Sequence, residues 1–157
     1  MARPNVFDGE FPMVREQMGI SGRLVGAAAG ARELGASVYE LAPGASGMNM
    51  HAHYGNEEMF VVLRGSPTLR TPESEEPLRA GDVVACPRGR EGMHTIANPS
   101  SEAVLLLAVS TANFPDVVLY PETGMVGVAT RHPFEAVAEG GDEGIVGMFR
   151  ADDNLRR

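Results

Sequence analysis

The sequence predicts an all-β protein, a sandwich or barrel of short antiparallel strands. Three observations point there. Seven or eight short segments rich in Val, Ile, Leu and aromatic residues recur at near-regular spacing between residues 36 and 130. The chain carries 19 glycines and 11 prolines in 157 residues, which suits many tight turns better than a few long helices. Its hydrophobic content of 43% supports one domain with a single sizeable core.

The elements follow in order. Residues 1–20 read as an N-terminal arm with a short amphipathic stretch from Phe11 to Met18. "RLVGAAAGARELG", from Arg23 to Gly35, is compatible with helix or strand. "ASVYELAP" then alternates and stops at the Pro43–Gly44 turn. "EEMFVVL" is a strand apolar on both faces, and so expected to be buried on both. "PTLRTP" alternates, and "ESEE" reads as a polar turn. "DVVACP", "HTIAN" and the long apolar "AVLLLAVS" are further strands, with "DVVLYP" and "MVGVAT" weaker ones. The tail from about Arg131 is polar and glycine-rich, with a short helix expected at Phe134 to Ala138. The implied organisation is an arm (1–20), a barrel domain (21–112) and a C-terminal extension (113–157) that packs on the barrel or on a dimer partner.

Charge and composition exclude several functions. A formal net charge of −8 argues against nucleic acid and against acidic membrane surfaces, since both demand a surplus of basic residues. The longest apolar run, Ala103 to Val109, is far short of the roughly 20 residues of a membrane span. The first residues lack the apolar core of a secretory signal, so a cytoplasmic protein is expected. A single cysteine, Cys86, rules out an intrachain disulfide and a cysteine-based zinc site. In an apolar strand it reads as an inert core residue. All 13 basic residues are arginine, which removes Schiff-base, pyridoxal-phosphate and P-loop chemistry.

The chemistry concentrates in "HAHYGNEEMFVVLRG", residues 51–65. A lone histidine in a strand is ordinarily a surface or core residue. Two histidines separated by one residue are different, because the strand period puts both on one face with α-carbons roughly 6.6–7 Å apart. Glu58 opens the next strand, and a hairpin there would return its carboxylate to His51 and His53. His94 begins "HTIAN" after a glycine-rich turn. Three imidazoles and a carboxylate make a ligand set for a divalent first-row metal, with iron, manganese, zinc and nickel all open. In the metal-free state, crowding of three imidazoles is expected to lower their pKa values. His132 precedes Pro133 in an extended segment and is given no role.

These residues resemble the two motifs of the cupin superfamily. The first, G-x5-H-x-H-x3-4-E-x6-G, is matched by His51, His53, Glu58 and Gly65, with Ala45 at the leading glycine position and Gly44 and Gly47 beside it. The second, G-x5-P-x-G-x2-H-x3-N, is matched by Gly81, Pro87, Gly89, His94 and Asn98, with four residues instead of two before the histidine. The longer loop, together with "PDVVLYPETG", looks like a group of single-domain bacterial cupins of largely unassigned function. The resemblance implies a double-stranded β-helix, or jelly-roll barrel, with one divalent transition metal held inside by His51, His53, Glu58 and His94. It also implies a metal-dependent protein acting on a small molecule, as an oxygenase, isomerase or decarboxylase, or a non-catalytic ligand binder or sensor. Tyr39 and Tyr54 are the acid/base candidates near the motif. Alternation puts Glu57 on the face opposite Glu58. Arg23, Arg64 and Arg131 are candidates to clamp an anionic group, and Asn98 is expected to tie down a turn. Open barrel edges must be paired or covered, so a homodimer is expected.

Overall fold

A computed structural model of the protein describes residues 3–131 and 143–151. Two antiparallel layers face each other. One is a six-stranded sheet in the spatial order β1 (Met13–Arg15), β2 (Ile20–Leu24), β3 (Leu34–Leu41), β10 (Val104–Thr111), β5 (Glu58–Arg64) and β8 (Val83–Cys86). The other joins β13 (Val146–Arg150), β12 (Met125–Ala129), β11 (Asp116–Tyr120) and β4 (Ala52–His53) to β7 (Glu75–Pro77), β6 (Thr68–Arg70) and β9 (Thr95–Ala97). The join is a single bridge between His51 and His94, whose amides donate to each other's carbonyls at 3.0 and 2.9 Å. The expected all-β architecture is therefore present.

The strand period decides what faces inward. On β5, Phe60 and Val62 are buried, and on β10, Val104, Leu106 and Ala108 are. They pack with Leu41, Leu78, Cys86 and Ile96 into the interior core. The intervening residues turn outward. Val38 and Leu105 are covered there by Val25, Val6 and Phe11, so the N-terminal residues cap the outer face of the six-stranded sheet. That second layer of burial is why "AVLLLAVS" reads as continuously apolar. β5 differs from expectation: its outer face carries Met59, which is 40% exposed, so this strand is fully covered on one side only.

Several segments became other elements than the sequence suggested. The arm contributes β1, a 3-10 turn at Glu16–Met18 and the start of β2. The ambiguous "RLVGAAAGARELG" divides into the end of β2, one helical turn at Gly26–Ala29 and the start of β3. Half of the "ESEE" turn is strand, since Glu75 and Glu76 pair with Arg70 and Leu69. The glycine-rich tail ends in β13, which pairs along all of β12. His132 and the helix expected at Phe134 to Ala138 lie outside the described residues. None of the described helices is long and apolar enough to cross a membrane.

Candidate metal centre and its cavity

His51, His53, His94 and Glu58 converge in the barrel interior. Glu58 Oε2 lies 3.8 Å from His51 Nε2 and 3.5 Å from both His53 Nε2 and His94 Nε2. Because His51 and His94 pair directly across the bridge, their side chains share one face, with ring centroids 4.6 Å apart. His53 follows on the same face two residues on. Glu58 does not return by a hairpin as the sequence suggested. β4 and β5 belong to opposite layers, and Glu58 has the parity of Phe60 and Val62, so it meets the imidazoles across the interior.

Two loops set the histidines. Ala45, at the motif's leading position, is buried, and the glycine the turn needs is Gly47, with φ +79°. A Cβ there would lie 2.0 Å from the Ile96 carbonyl oxygen, so only glycine lets this loop close on β9. The lengthened second motif forms a 3-10 turn, Arg90–Gly92, that absorbs the extra residues and delivers His94 to the cluster. Asn98 anchors the other end: fully buried, it donates to the carbonyls of Leu41, Ala42 and Glu102 and accepts from Ser100.

Each imidazole is oriented through Nδ1. His51 Nδ1 meets the Asn49 carbonyl at 2.9 Å, His94 Nδ1 meets the Gly92 carbonyl at 2.8 Å, and His53 Nδ1 meets Asp116 Oδ2 at 2.6 Å. Carbonyls and a carboxylate accept only, so every Nδ1 carries the proton and every Nε2 presents a lone pair. The centre is thus four acceptors aimed at one another with no donor among them. Glu58 Oε2 and His94 Nε2 are buried without a hydrogen-bond partner, a state that ordinarily costs about 1–3 kcal/mol per group. A divalent cation would relieve this frustration, and the donor set of nitrogen and carboxylate oxygen suits one. The group His51, His53 and Glu58 could hold such an ion, with His94 adjoining.

The electrostatics agree. Burial alone would raise the Glu58 pKa, but His51 beside it and then His53 and His94 outweigh it, so the carboxyl sits below its ordinary value. Asp116 is likewise lowered: burial opposes, and the hydrogen bond from His53 prevails, with further help from Asn56 and Gly55. His53 and His94 shift in opposite directions, contrary to the crowding expectation. Burial, followed by the neighbouring His51, pushes His94 down to about 4. His53 is raised, because its bond to Asp116 and the charges of Glu58 and Asp116 overcome the effect of burial.

The centre forms one wall of a cavity of about 450 Å³, large enough for a small-molecule ligand. Tyr39 lines it. Burial is the main cause that raises its phenol pKa, with Glu58 adding to it, so the hydroxyl stays protonated near neutrality. Tyr54 is 47% exposed and is not among the lining residues. Glu57 is exposed, as alternation required. The three arginines singled out as clamps also lie elsewhere: Arg23 holds the Asn5 carbonyl, Arg64 pairs with Glu40, and Arg131 holds the Glu143 carbonyl. Cys86 is buried, and burial pushes its thiol up to about 12, in keeping with an inert core residue.

Sequence reasoning missed Asp116, Tyr120 and Arg15. Asp116 is buried, binds His53 and also accepts the Gly55 amide at 2.8 Å. Tyr120 stacks on His51 with centroids 5.7 Å apart. Both alternate inward along β11 with Val118, and the only signal for them was an acid and a phenol at matching parity on a weakly predicted strand. Arg15, assigned to the arm, also lines the cavity.

Residues 37–110 match the family model described as a cupin domain. Curated protein sequences provide no match. Among solved structures, the chain is similar to a protein from Silicibacter pomeroyi described as a sugar phosphate isomerase from a cupin superfamily. The TM-score is 0.70 at 25% identity, over 86% of this chain and 78% of that one. The polyketide cyclase RemF from Streptomyces resistomycificus shares the fold, with a TM-score of 0.60 at 22% identity over 87% of each chain. So does an RmlC-like cupin from Shewanella frigidimarina, with a TM-score of 0.53 at 20% identity over 65% of this chain and 84% of that one. Domain model and three-dimensional neighbours agree with the paired motifs: residues 37–110 are a cupin domain.

Proposed function

We propose that this protein is a metal-dependent enzyme that transfers protons on a small molecule bound in the barrel cavity, chemistry of the isomerase or decarboxylase type. The observation that carries the reading is the convergence of four acceptor atoms, with no donor among them, three of whose residues, His51, His53 and Glu58, line a 450 Å³ cavity. His51, His53, Glu58 and His94 would hold one divalent transition metal. When bound, such an ion acts as a Lewis acid on a carbonyl or carboxylate oxygen of the substrate. The chain's own residues supply the rest. Asp116 keeps the His53 proton on Nδ1, so Nε2 stays a lone-pair donor. Tyr39, neutral beside Glu58, can hold or release a proton at its phenolic oxygen toward a molecule in the cavity. The similar protein described as a sugar phosphate isomerase supports a proton-transfer reaction over oxygen chemistry.

Elemental analysis tests the foundation. Protein purified without chelator is expected to carry close to one transition-metal ion per chain, and His51→Ala and His94→Ala to lose most of it. Full retention in both variants would place the metal elsewhere and sink the reading.

A further inference from the structure

The apolar part of the cavity lining is chemically distinctive. Four methionines, Met18, Met48, Met125 and Met148, belong to it together with Val118 and Phe114. They come from separate segments: the 3-10 turn after β1, the loop before His51, β12, β13, β11 and the approach to β11. Met48 is 39% exposed and Met148 53% exposed, so thioethers also rim the mouth where a ligand enters. Exposed apolar side chains gathered around a cavity mark a binding surface, and thioethers adapt to apolar bodies of varied shape. Among the described residues that line the cavity, Arg15 is the only arginine, and the chain has no lysine. A phosphorylated sugar calls for several charged donors to grip its dianion. This lining offers mostly apolar surface instead.

We infer that the substrate is amphiphilic: a pair of chelating oxygens that face the His–Glu cluster, on an apolar, ring-sized body that lies against the methionines. The inference rests on the reading of the cluster as a metal site. The stacked pair of Tyr120 and His51 offers the substrate body a flat edge beside the His–Glu cluster.

Two hydroxamates with the same chelating head test this on the zinc-loaded full chain. Acetohydroxamate ends in a methyl group and benzohydroxamate in a phenyl ring. By calorimetry, and after correction for their affinities for free zinc, benzohydroxamate is expected to bind at least tenfold more tightly. The double variant Met125→Gln, Met148→Gln is expected to shrink that preference below threefold, with zinc content and acetohydroxamate affinity kept. Glucose 6-phosphate and inorganic phosphate are expected to bind more weakly than benzohydroxamate. Equal affinities of the two hydroxamates in the wild-type protein, which needs no variant to fold, would overturn the substrate class and leave the metal site standing. Tighter binding of glucose 6-phosphate than of benzohydroxamate would do the same. Failure of the wild-type chain to hold zinc would overturn both readings.

Discussion

Replacing Asp116 with Asn probes the centre without touching a metal-facing atom. In the native protein its carboxylate accepts from two donors, His53 Nδ1–H at 2.6 Å and the Gly55 amide at 2.8 Å. An asparagine has one oxygen and one NH2, so one of those donors must face another donor. If the oxygen stays with Gly55, the NH2 meets His53, and His53 relieves the clash by moving its proton to Nε2. That is the atom that must offer a lone pair to a cation. If the oxygen stays with His53, the Gly55 amide is left unpaired at a half-buried position. Partners that orient a metal-bound histidine typically contribute a factor of about 10–100 in metal affinity. At about 1.4 kcal/mol per decade this is ~1.4–2.8 kcal/mol. The pH profile should move as well. Asp116 is a principal cause of the raised His53 pKa, so its neutral replacement lets that pKa fall. Protons then compete with metal at lower pH in the variant than in the wild type. A competitive zinc titration against a chromophoric chelator, run from pH 5.5 to 8, reads both effects, and melts of the metal-free proteins check that the fold persists. Unchanged affinity together with an unchanged profile, in a folded variant, would refute the account of Asp116 as the group that sets the His53 tautomer.

Glu58→Gln removes the one anionic group of the set, so it should weaken metal binding more than tenfold, and an unchanged affinity in a competitive zinc titration would contradict this. Against the effect of burial, the histidines hold the Glu58 pKa below its ordinary value, so its ionised form stabilises the metal-free fold, and the metal-free variant should lose the stability that wild type gains as pH rises through the carboxylate range. His53 has a folded pKa above its unfolded value of about 6.5, so its contribution to metal-free stability is complete below that value and is lost as pH rises through the folded pKa. Metal needs the neutral ring, so the gap between metal-loaded and chelator-treated melting curves should widen from pH 6 to pH 8, and a constant gap would exclude His53 as a ligand. His94 works the other way: neutral when folded down to about pH 4, it opposes folding as the unfolded chain takes up its proton below about 6.5, a loss of ~3 kcal/mol by pH 4 in the metal-free protein. Removal of the imidazole in His94→Ala should flatten that acid limb of a denaturant-stability series. Finally, β13 is an edge strand whose Val146 and Phe149, outside the cavity lining, are exposed, and we propose that a second copy pairs with its free edge; light scattering should give twice the chain mass, and a monomer at micromolar concentration would reject the pairing.

The legible part of this protein lay in local spacing. One residue between His51 and His53 puts both rings on one strand face, and alternation on the next strand aims Glu58 inward with Phe60 and Val62 while Glu57 turns outward. The residue order around His94 and Asn98 likewise marks a turn and the strand after it, and there the asparagine ties the turn to three carbonyls. Such relations span a few residues, so chain geometry transmits them without knowledge of the fold. What lay beyond reach was set by partners far along the chain. Asp116 is 63 residues from the histidine it orients, and nothing near either one announces the other. Glu58 reaches the imidazoles from the opposite layer, a placement that depends on sheet order and not on the turn after His53. The opposite shifts of His53 and His94 have the same origin, since one ring faces a carboxylate and the other a carbonyl in a drier part of the interior. Protonation follows from desolvation and from the charges that surround a group in space, and only the closed barrel decides which residues those are.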